Sequence, residues 1–483
     1  MSPLLISSVV VLYFLLLLFI SWFTSRNADS STFYVGNKQS PWYVVAFGMI
    51  GASLSGVTFM SVPGWVKDTQ FSYLMMVFGY LLGYFVIATI LMPLYYRLNL
   101  TTIYTYLEKR FGFWSYKTGA FFFLLSRSIG ASFRMYIVIN VLQIFIFDQW
   151  NLPFWIPTTL FILLVIIYTF QGGIKTIVWT DTLQTTFMLA TVFLSIYFIS
   201  QELGFSLNSL IDKVLESETS KIIFTDWNDK RHFLKQFLSG TFTAIAMTGL
   251  DQEMMQKNLS CKTLKDAQKN MFSFSFVLVF VNFMFLFLGA IIYMYVAAKG
   301  ISIPQTTDDV FPTIALKYLQ PIAGLIFIIG LISAAFPSAD GALTSLTTSF
   351  CVDFLNLKKK THLSEREIKK TRYFVHFSFA FLLLCLIVLF KTINDQAVIQ
   401  KLFTVAGYTY GPLLGLFAFG LFTKLNVRDK FVPCVAILSP IICFLLSTHS
   451  TIWFNGYKFG FELLILNGLI TFLGLFFLSL KKN

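Results

Sequence analysis

The chain has 483 residues, 56% hydrophobic and only 12% charged, where a soluble globular chain carries about 25% charged residues. With a mean hydropathy of +0.73 it reads as an integral membrane protein; disorder, a collagen-like fibre and a disulfide scaffold are excluded, because the polar fraction is too small and five cysteines frame nothing. A formal charge of +13 would suggest nucleic acid as partner of a soluble chain, but in a membrane chain it matters through the loops that hold it.

A bilayer core about 30 Å thick needs about 20 apolar residues per helix. Thirteen runs meet that test, at 4–24, 42–62, 71–96, 117–147, 153–172, 174–200, 233–256, 271–298, 321–352, 373–391, 395–421, 431–448 and 460–480. The first has no positive leading segment and no small-residue cleavage site after it, so it is expected to stay attached rather than act as a signal peptide. Of the 36 basic residues, 23 fall on one set of alternate connections, including Arg26, Lys257, the run Lys358 to Arg372, Lys481 and Lys482, and 10 on the other. The excess marks the cytoplasmic side, which predicts an external N-terminus and a cytoplasmic C-terminus. Arg127, Arg134 and Lys235 remain within or at the edge of spans. The longest connection, 201–231, is too short for a soluble core, so function is expected among the helices. The basic 353–372 loop reads as a topology signal attracted to anionic lipid.

The second span carries Gly48, Gly51-Ala52-Ser53-Leu54-Ser55-Gly56, Thr58, Ser61 and Pro63-Gly64. Small polar residues and glycines there predict either an unwound segment, with carbonyls of Gly51 and Leu54 free for a cation, or a helix-packing seam. In the fourth span, Arg134 requires a carboxylate, a carbonyl cluster or an anionic ligand; Asp251 and Asp340 are its internal candidates, and a substrate anchor is the alternative. Asp181, near one end of the sixth span, reads equally as a cap or as part of an ion pathway. The ninth span contains Ser333-Ala334-Ala335-Phe336-Pro337-Ser338-Ala339-Asp340-Gly341. Pro337 has no N–H, so an interruption is expected, with a backbone oxygen near the Ser338 hydroxyl. Asp340 costs about 2.5 to 3.5 kcal/mol at a helix centre and should meet a cation or a proton. Cys261, Cys351, Cys385, Cys434 and Cys443 form no CxxC pair and read as structural. The four histidines offer no metal spacing, and no hydrolase, metalloprotease or nucleotide-binding motif occurs in context, so no enzyme and no organic cofactor are expected.

The stretch Gly172-Gly173-Ile174-Lys175-Thr176-Ile177-Val178-Trp179-Thr180-Asp181-Thr182-Leu183-Gln184 resembles the GGxxxxxWTDxxQ signature of sodium:solute symporters. Tyr104 to Gly112 is similar to the family's YEYLEKRFG, and Asp251 to Lys257 to its DQxxxQR. The resemblance covers essentially the whole chain and implies an all-α, leucine-transporter-like fold of two inverted five-helix repeats. In that plan 1–41 precede the core, 42–200 form the first repeat, 201–231 an external loop, 232–421 the second repeat, and 422–483 two further helices.

The family's shared sodium site falls, by position, on the carbonyls of Gly51, Leu54 and Ala334 and the Ser338 hydroxyl. Pro337 replaces one hydroxyl of that set. A second sodium position of some members falls on Asp181, Asp340 and Gly341, where Asp340 is an unusual substitution that would supply the missing oxygen or carry a proton. Sialic-acid symporters of the family hold the ligand carboxylate at positions matching Arg134, Ser53, Ser55 and Thr58, and Asp251 is grouped with these as a solute contact. The amides and gating tyrosine of the sugar transporters are replaced by Ser53, Thr58 and Met247, which favours an acidic solute over a neutral hexose. The expectation is a Na+-coupled importer of a small polar solute in a bacterial inner membrane, with solute, sodium and lipid as partners and neither nucleic acid nor an obligate protein. A neutral sugar, amino acid or monocarboxylate as cargo, or a transporter-like solute sensor, is the alternative.

Overall fold

The computed structural model describes residues 3–24, 33–34, 36–169, 173–360, 362–393 and 398–480. Arg26, Gly172, Lys481 and Lys482 lie outside them. The main helices are α1 (Pro3–Thr24), α2 (Trp42–Ser53), α3 (Gly56–Thr69), α4 (Tyr73–Arg97), α5 (Phe113–Phe145), α6 (Trp155–Thr169), α7 (Ile174–Leu203), α8 (Phe233–Ala244), α9 (Gln252–Leu259), α10 (Leu264–Lys299), α11 (Pro321–Ser349), α12 (Glu365–Ile393), α13 (Val398–Phe422), α14 (Val432–Thr448) and α15 (Leu463–Phe477). Among the described residues nine helices are long and apolar enough to span a bilayer, and α2 with α3, bent by 54°, makes a tenth. The other three of the thirteen expected spans differ in kind. α6 and α15 have 15 residues each, and 233–256 is not one helix.

Among the described residues two spans are broken, and their breaks are built differently. Between α2 and α3, Leu54 (φ −88°, ψ 69°) and Ser55 (φ −66°, ψ 177°) leave the helical region, as expected where glycine and serine lower helix propensity. Between α8 and α9, a π turn at Ile245–Gly249 ends in Leu250 and Asp251. There the freed carbonyls are satisfied within the protein: the Tyr95 hydroxyl donates to Gly249 O at 2.9 Å and the Tyr104 hydroxyl to Leu250 O at 3.0 Å. No side-chain donor among the described residues serves the carbonyls of Gly51 to Leu54.

The ninth span departs from expectation. α11 runs unbroken through Pro337, because the proline removes only one hydrogen bond and the surrounding helices bury every residue from Leu331 to Ser349. α11 packs directly against α2, α3, α5 and α7. α7 lies beside both α2 and α11: the Gly51 amide donates to Thr185 Oγ1 at 3.1 Å, and Gly330 abuts the Thr191 side chain. A Cβ at Gly51 would collide with the Thr185 hydroxyl, so only glycine permits this approach.

Two basic residues assigned to loops by sequence are buried instead. Lys257 is 1% exposed and Arg372 likewise 1%; Arg372 stacks over the Phe33 ring at 4.3 Å. Lys235, at the edge of α8, is sheltered over Tyr457 at 3.7 Å with Glu462 4.0 Å away.

Candidate functional site

The α2–α3 break opens onto a central cavity lined by Ser53, Ser55 and Thr58 from the break itself, Arg134 from α5, Thr248 from the π turn and Asn282 from α10. Ser55 starts α3 without a side-chain cap, so the first amides of that helix remain available at the cavity edge, where the helix dipole favours negative charge. Arg134 is 9% exposed. Its Nε has no hydrogen-bond partner, and it joins no ion pair among the described residues.

Neither carboxylate considered for Arg134 reaches it. Asp251 caps α9: its Oδ1 accepts from the Glu253 amide at 2.9 Å and the Met254 amide at 3.3 Å, and its Oδ2 accepts from the Tyr410 hydroxyl at 2.5 Å. Both of its oxygens thus accept hydrogen bonds, and Asp251 is not among the residues lining the cavity. Asp340 Oδ2 accepts from the Tyr168 hydroxyl at 2.7 Å, leaving Oδ1 without a partner.

Arg127, the other basic residue within the fourth span, pairs through Nη2 with Glu253, and its Nη1 stands 3.9 Å from Asp251. Glu253 also lies 3.8 Å from Lys257, and Lys257 Nζ donates to Asp181 Oδ2 at 2.6 Å. Asp181 is therefore neither a helix cap nor an open ion ligand on that oxygen; it is the partner of a buried ammonium, with Oδ1 unpartnered. Two cations and three carboxylates among the helices are thus linked in one chain of buried ion pairs, and pairing is how membrane interiors accommodate charge. Sequence reading missed Glu253, Lys257 and Tyr410 in this role, although Glu253 and Lys257 stood inside the quoted Asp251 to Lys257 motif.

α11, which packs against both α2 and α3, carries Ala334 and Ser338, both 0% exposed. The Ser338 hydroxyl has no hydrogen-bond partner. A buried unpartnered hydroxyl and unserved carbonyls on a facing helix are hard oxygen donors of the type that coordinate sodium in broken-helix transporters. Among the described residues no group of three or more His, Cys, Asp or Glu side chains is arranged to hold a metal ion.

Beyond the cavity lies a wider vestibule of about 600 Å³, lined by Trp65, Asp68, Asp226, Asp229 and Gln400. Tyr73 lines both spaces. Arg231 forks onto Asp229, with Nη2 to Oδ2 at 2.7 Å, and holds that carboxyl below the usual range. Asp308, in the turn after α10, accepts from the Val398 amide at 2.9 Å; burial pushes its carboxyl up to about 6.

Comparison with known proteins agrees with this architecture. The sodium/sialic acid symporter NanT of Aliivibrio fischeri is 23% identical over 468 residues, spanning 93% of this chain and 89% of that one. The sodium/sialic acid symporter SiaT of Proteus mirabilis is 23% identical over 467 residues, spanning 93% and 91%, and human sodium-coupled monocarboxylate transporter 1 is 24% identical over 405 residues, spanning 81% and 64%. Among solved structures, a Na+-coupled sialic acid symporter in a substrate-bound outward-open state superposes with a TM-score of 0.83 at 18% identity, covering 99% of both chains. A nucleobase-cation-symport-1 family transporter in a closed conformation gives 0.55 at 12% identity, over 92% and 93%. These likenesses give a leucine-transporter-like fold. The model of the sodium:solute symporter family matches residues 33–429, and the chain, an integral membrane protein, belongs to that family of transporters.

Proposed function

We propose that this protein imports an acidic organic solute, of the sialic acid class, by symport with Na+. The observation that carries the reading is Arg134: a guanidinium buried in a membrane span, bordering a cavity, with no carboxylate partner among the described residues. A solute carboxylate would complete it, aided by the Ser53, Ser55 and Thr58 hydroxyls and the free amides opening α3. Sodium would take the carbonyls of Gly51, Leu54 and Ala334 with the Ser338 hydroxyl, and Asp340, whose Oδ1 has no hydrogen-bond partner, would be a further oxygen donor. Asp181 acts there through Lys257 rather than as a direct ligand.

The two ligands would share one break: cation against the end of α2, anion against the start of α3. Each fixes the same backbone, so each raises the other's affinity equally. Sodium entering through the vestibule would stabilise the solute-ready form, and its loss to a low-sodium cytoplasm would release both. The basic loops favour an external N-terminus and a cytoplasmic C-terminus, and the bacterial relatives favour an inner membrane. Monocarboxylates carry the same anionic group and form the second reading, favoured by the human relative.

Purified protein should be stabilised against heat by sialic acid in sodium but not in choline, and liposomes with an inward sodium gradient should accumulate it. Equal uptake in choline would refute the coupling. Stabilisation by pyruvate and not sialic acid would reassign the solute, and binding without flux would mark a sensor.

A further inference from the structure

Arg127 has no part in the scheme so far, yet it is placed on a path. It precedes Arg134 by two turns of α5, about 10 Å, toward the helix end that carries Lys117, the basic side of the chain. Both arginines line the central cavity, and both line a smaller pocket adjoining it together with Met247, Leu402 and Tyr410.

The partner of Arg127 has a choice of cation. Asp251 is pinned by two amides and Tyr410, whereas Glu253 is held by ion pairing alone, with Arg127 as its nearer cation. Glu253 also has another cation in reach, Lys257, at 3.8 Å on the next turn of α9.

We propose that Arg127 is a second carboxylate-binding position, occupied by the solute on its way to the cytoplasm and uncovered when Glu253 moves from Arg127 to Lys257. The inference rests on the acidic-solute reading. An anion leaving Arg134 enters a dehydrated interior, where an unpaired charge is expensive. Arg127 supplies the next cation along the same helix face. In the exchange Glu253 keeps one cation, Lys257, within reach as the solute carboxylate takes its place at Arg127. Lys257 then divides between Glu253 and Asp181, whose side chain lies against Gly48 of α2, so passage of solute loosens the contact beside the sodium-binding helix.

The test compares sialic acid binding to purified protein in sodium with uptake into sodium-driven liposomes. Arg127→Gln should leave equilibrium affinity within about threefold of wild type yet lower turnover by about tenfold or more, a loss confined to a later step. Arg127→Lys should recover part of the turnover. Arg127→Gln/Glu253→Gln removes the pair without leaving a lone charge, so it keeps the test decisive if the single variant misfolds; it should remain slow. Wild-type turnover in that double variant would show the pair to be a structural plug and overturn the proposal. So would loss of binding in Arg127→Gln as complete as in Arg134→Gln, which would merge the two positions into one. Wild-type protein that binds neither sialic acid nor pyruvate in sodium would refute the acidic-solute reading and this inference together.

Discussion

Arg134→Gln should have effects of opposite sign on solute binding and on the stability of the empty protein. In the free protein the guanidinium is buried with an unpartnered Nε and no counter-charge among the described residues. A buried polar group left unsatisfied costs about 1 to 3 kcal/mol, so replacing it with a neutral side chain should raise the melting temperature of the solute-free protein by a few degrees, at about 2 to 4 °C per kcal/mol in larger domains. With an anion bound the balance reverses. Removing one partner of a buried, hydrogen-bonded ion pair costs about 3 to 5 kcal/mol, equivalent to a roughly 140- to 4,000-fold loss of affinity. Calorimetric titration with sialic acid in sodium reads the second effect, and a thermal melt without solute reads the first. A loss of affinity below about fivefold, or a lower melting temperature, would mean that Arg134 is held by protein groups and does not wait for a carboxylate.

Ser338→Ala removes a hydroxyl that bonds to nothing, so the sodium-free melting temperature should stay within about 1 °C, while the sodium concentration for half-maximal stabilisation rises about tenfold; an unchanged sodium dependence would remove Ser338 from the cation site. Asp181→Asn leaves the Lys257 ammonium with only Glu253, 3.8 Å away, as counter-charge and should destabilise by about 3 kcal/mol, whereas Asp181→Leu/Lys257→Met should recover most of that loss in the same melts. Asp308 titrates from a folded value of about 6 against an ordinary value of 3.8. Because its folded value is raised, the stability it contributes is full below about pH 4 and falls as pH rises through about 6, by at most about 3 kcal/mol. Asp308→Asn should therefore raise the melting temperature at pH 7.5 and converge on wild type near pH 4. A difference that does not change with pH would assign the effect to packing.

The α2–α3 break was legible because its cause is local: Gly51, Ser53, Ser55 and Gly56 weaken the helix whatever surrounds it. Pro337 misled for the converse reason. It deletes one hydrogen bond, and whether the helix then parts depends on the neighbours, which here enclose α11 throughout. The α8–α9 break carried a local signal too, Gly249 followed by Asp251 in an N-cap position two residues before Glu253, but the apolar run around it concealed the gap. Lys257 could not be placed by composition at all. Its burial depends on Asp181, 76 residues away, and without that partner a lysine near a span end belongs in a loop. The candidate solute contacts at Ser53, Ser55, Thr58 and Arg134 do border one cavity, while Asp251 stands aside because its oxygens are taken by the cap it forms.

The contrast between the two breaks bears on what each can do. Tyr95 and Tyr104 bind the carbonyls freed between α8 and α9, so that segment is complete without a ligand and can act as a fixed wall. At Leu54 and Ser55 the polar backbone has no such side-chain partners among the described residues, and burying it incomplete costs free energy that a bound cation and anion would return. Occupancy of the first break therefore changes the stability of that conformation, while the second break is insensitive to it. If the first break takes the cation and anion proposed for it, filling it would hold α2 and α3 at their 54° angle; empty, the angle would have less to hold it. That difference in free energy is what a sodium gradient can act upon, and it predicts that filling the first break chemically, rather than altering the second, is what uncouples transport from sodium.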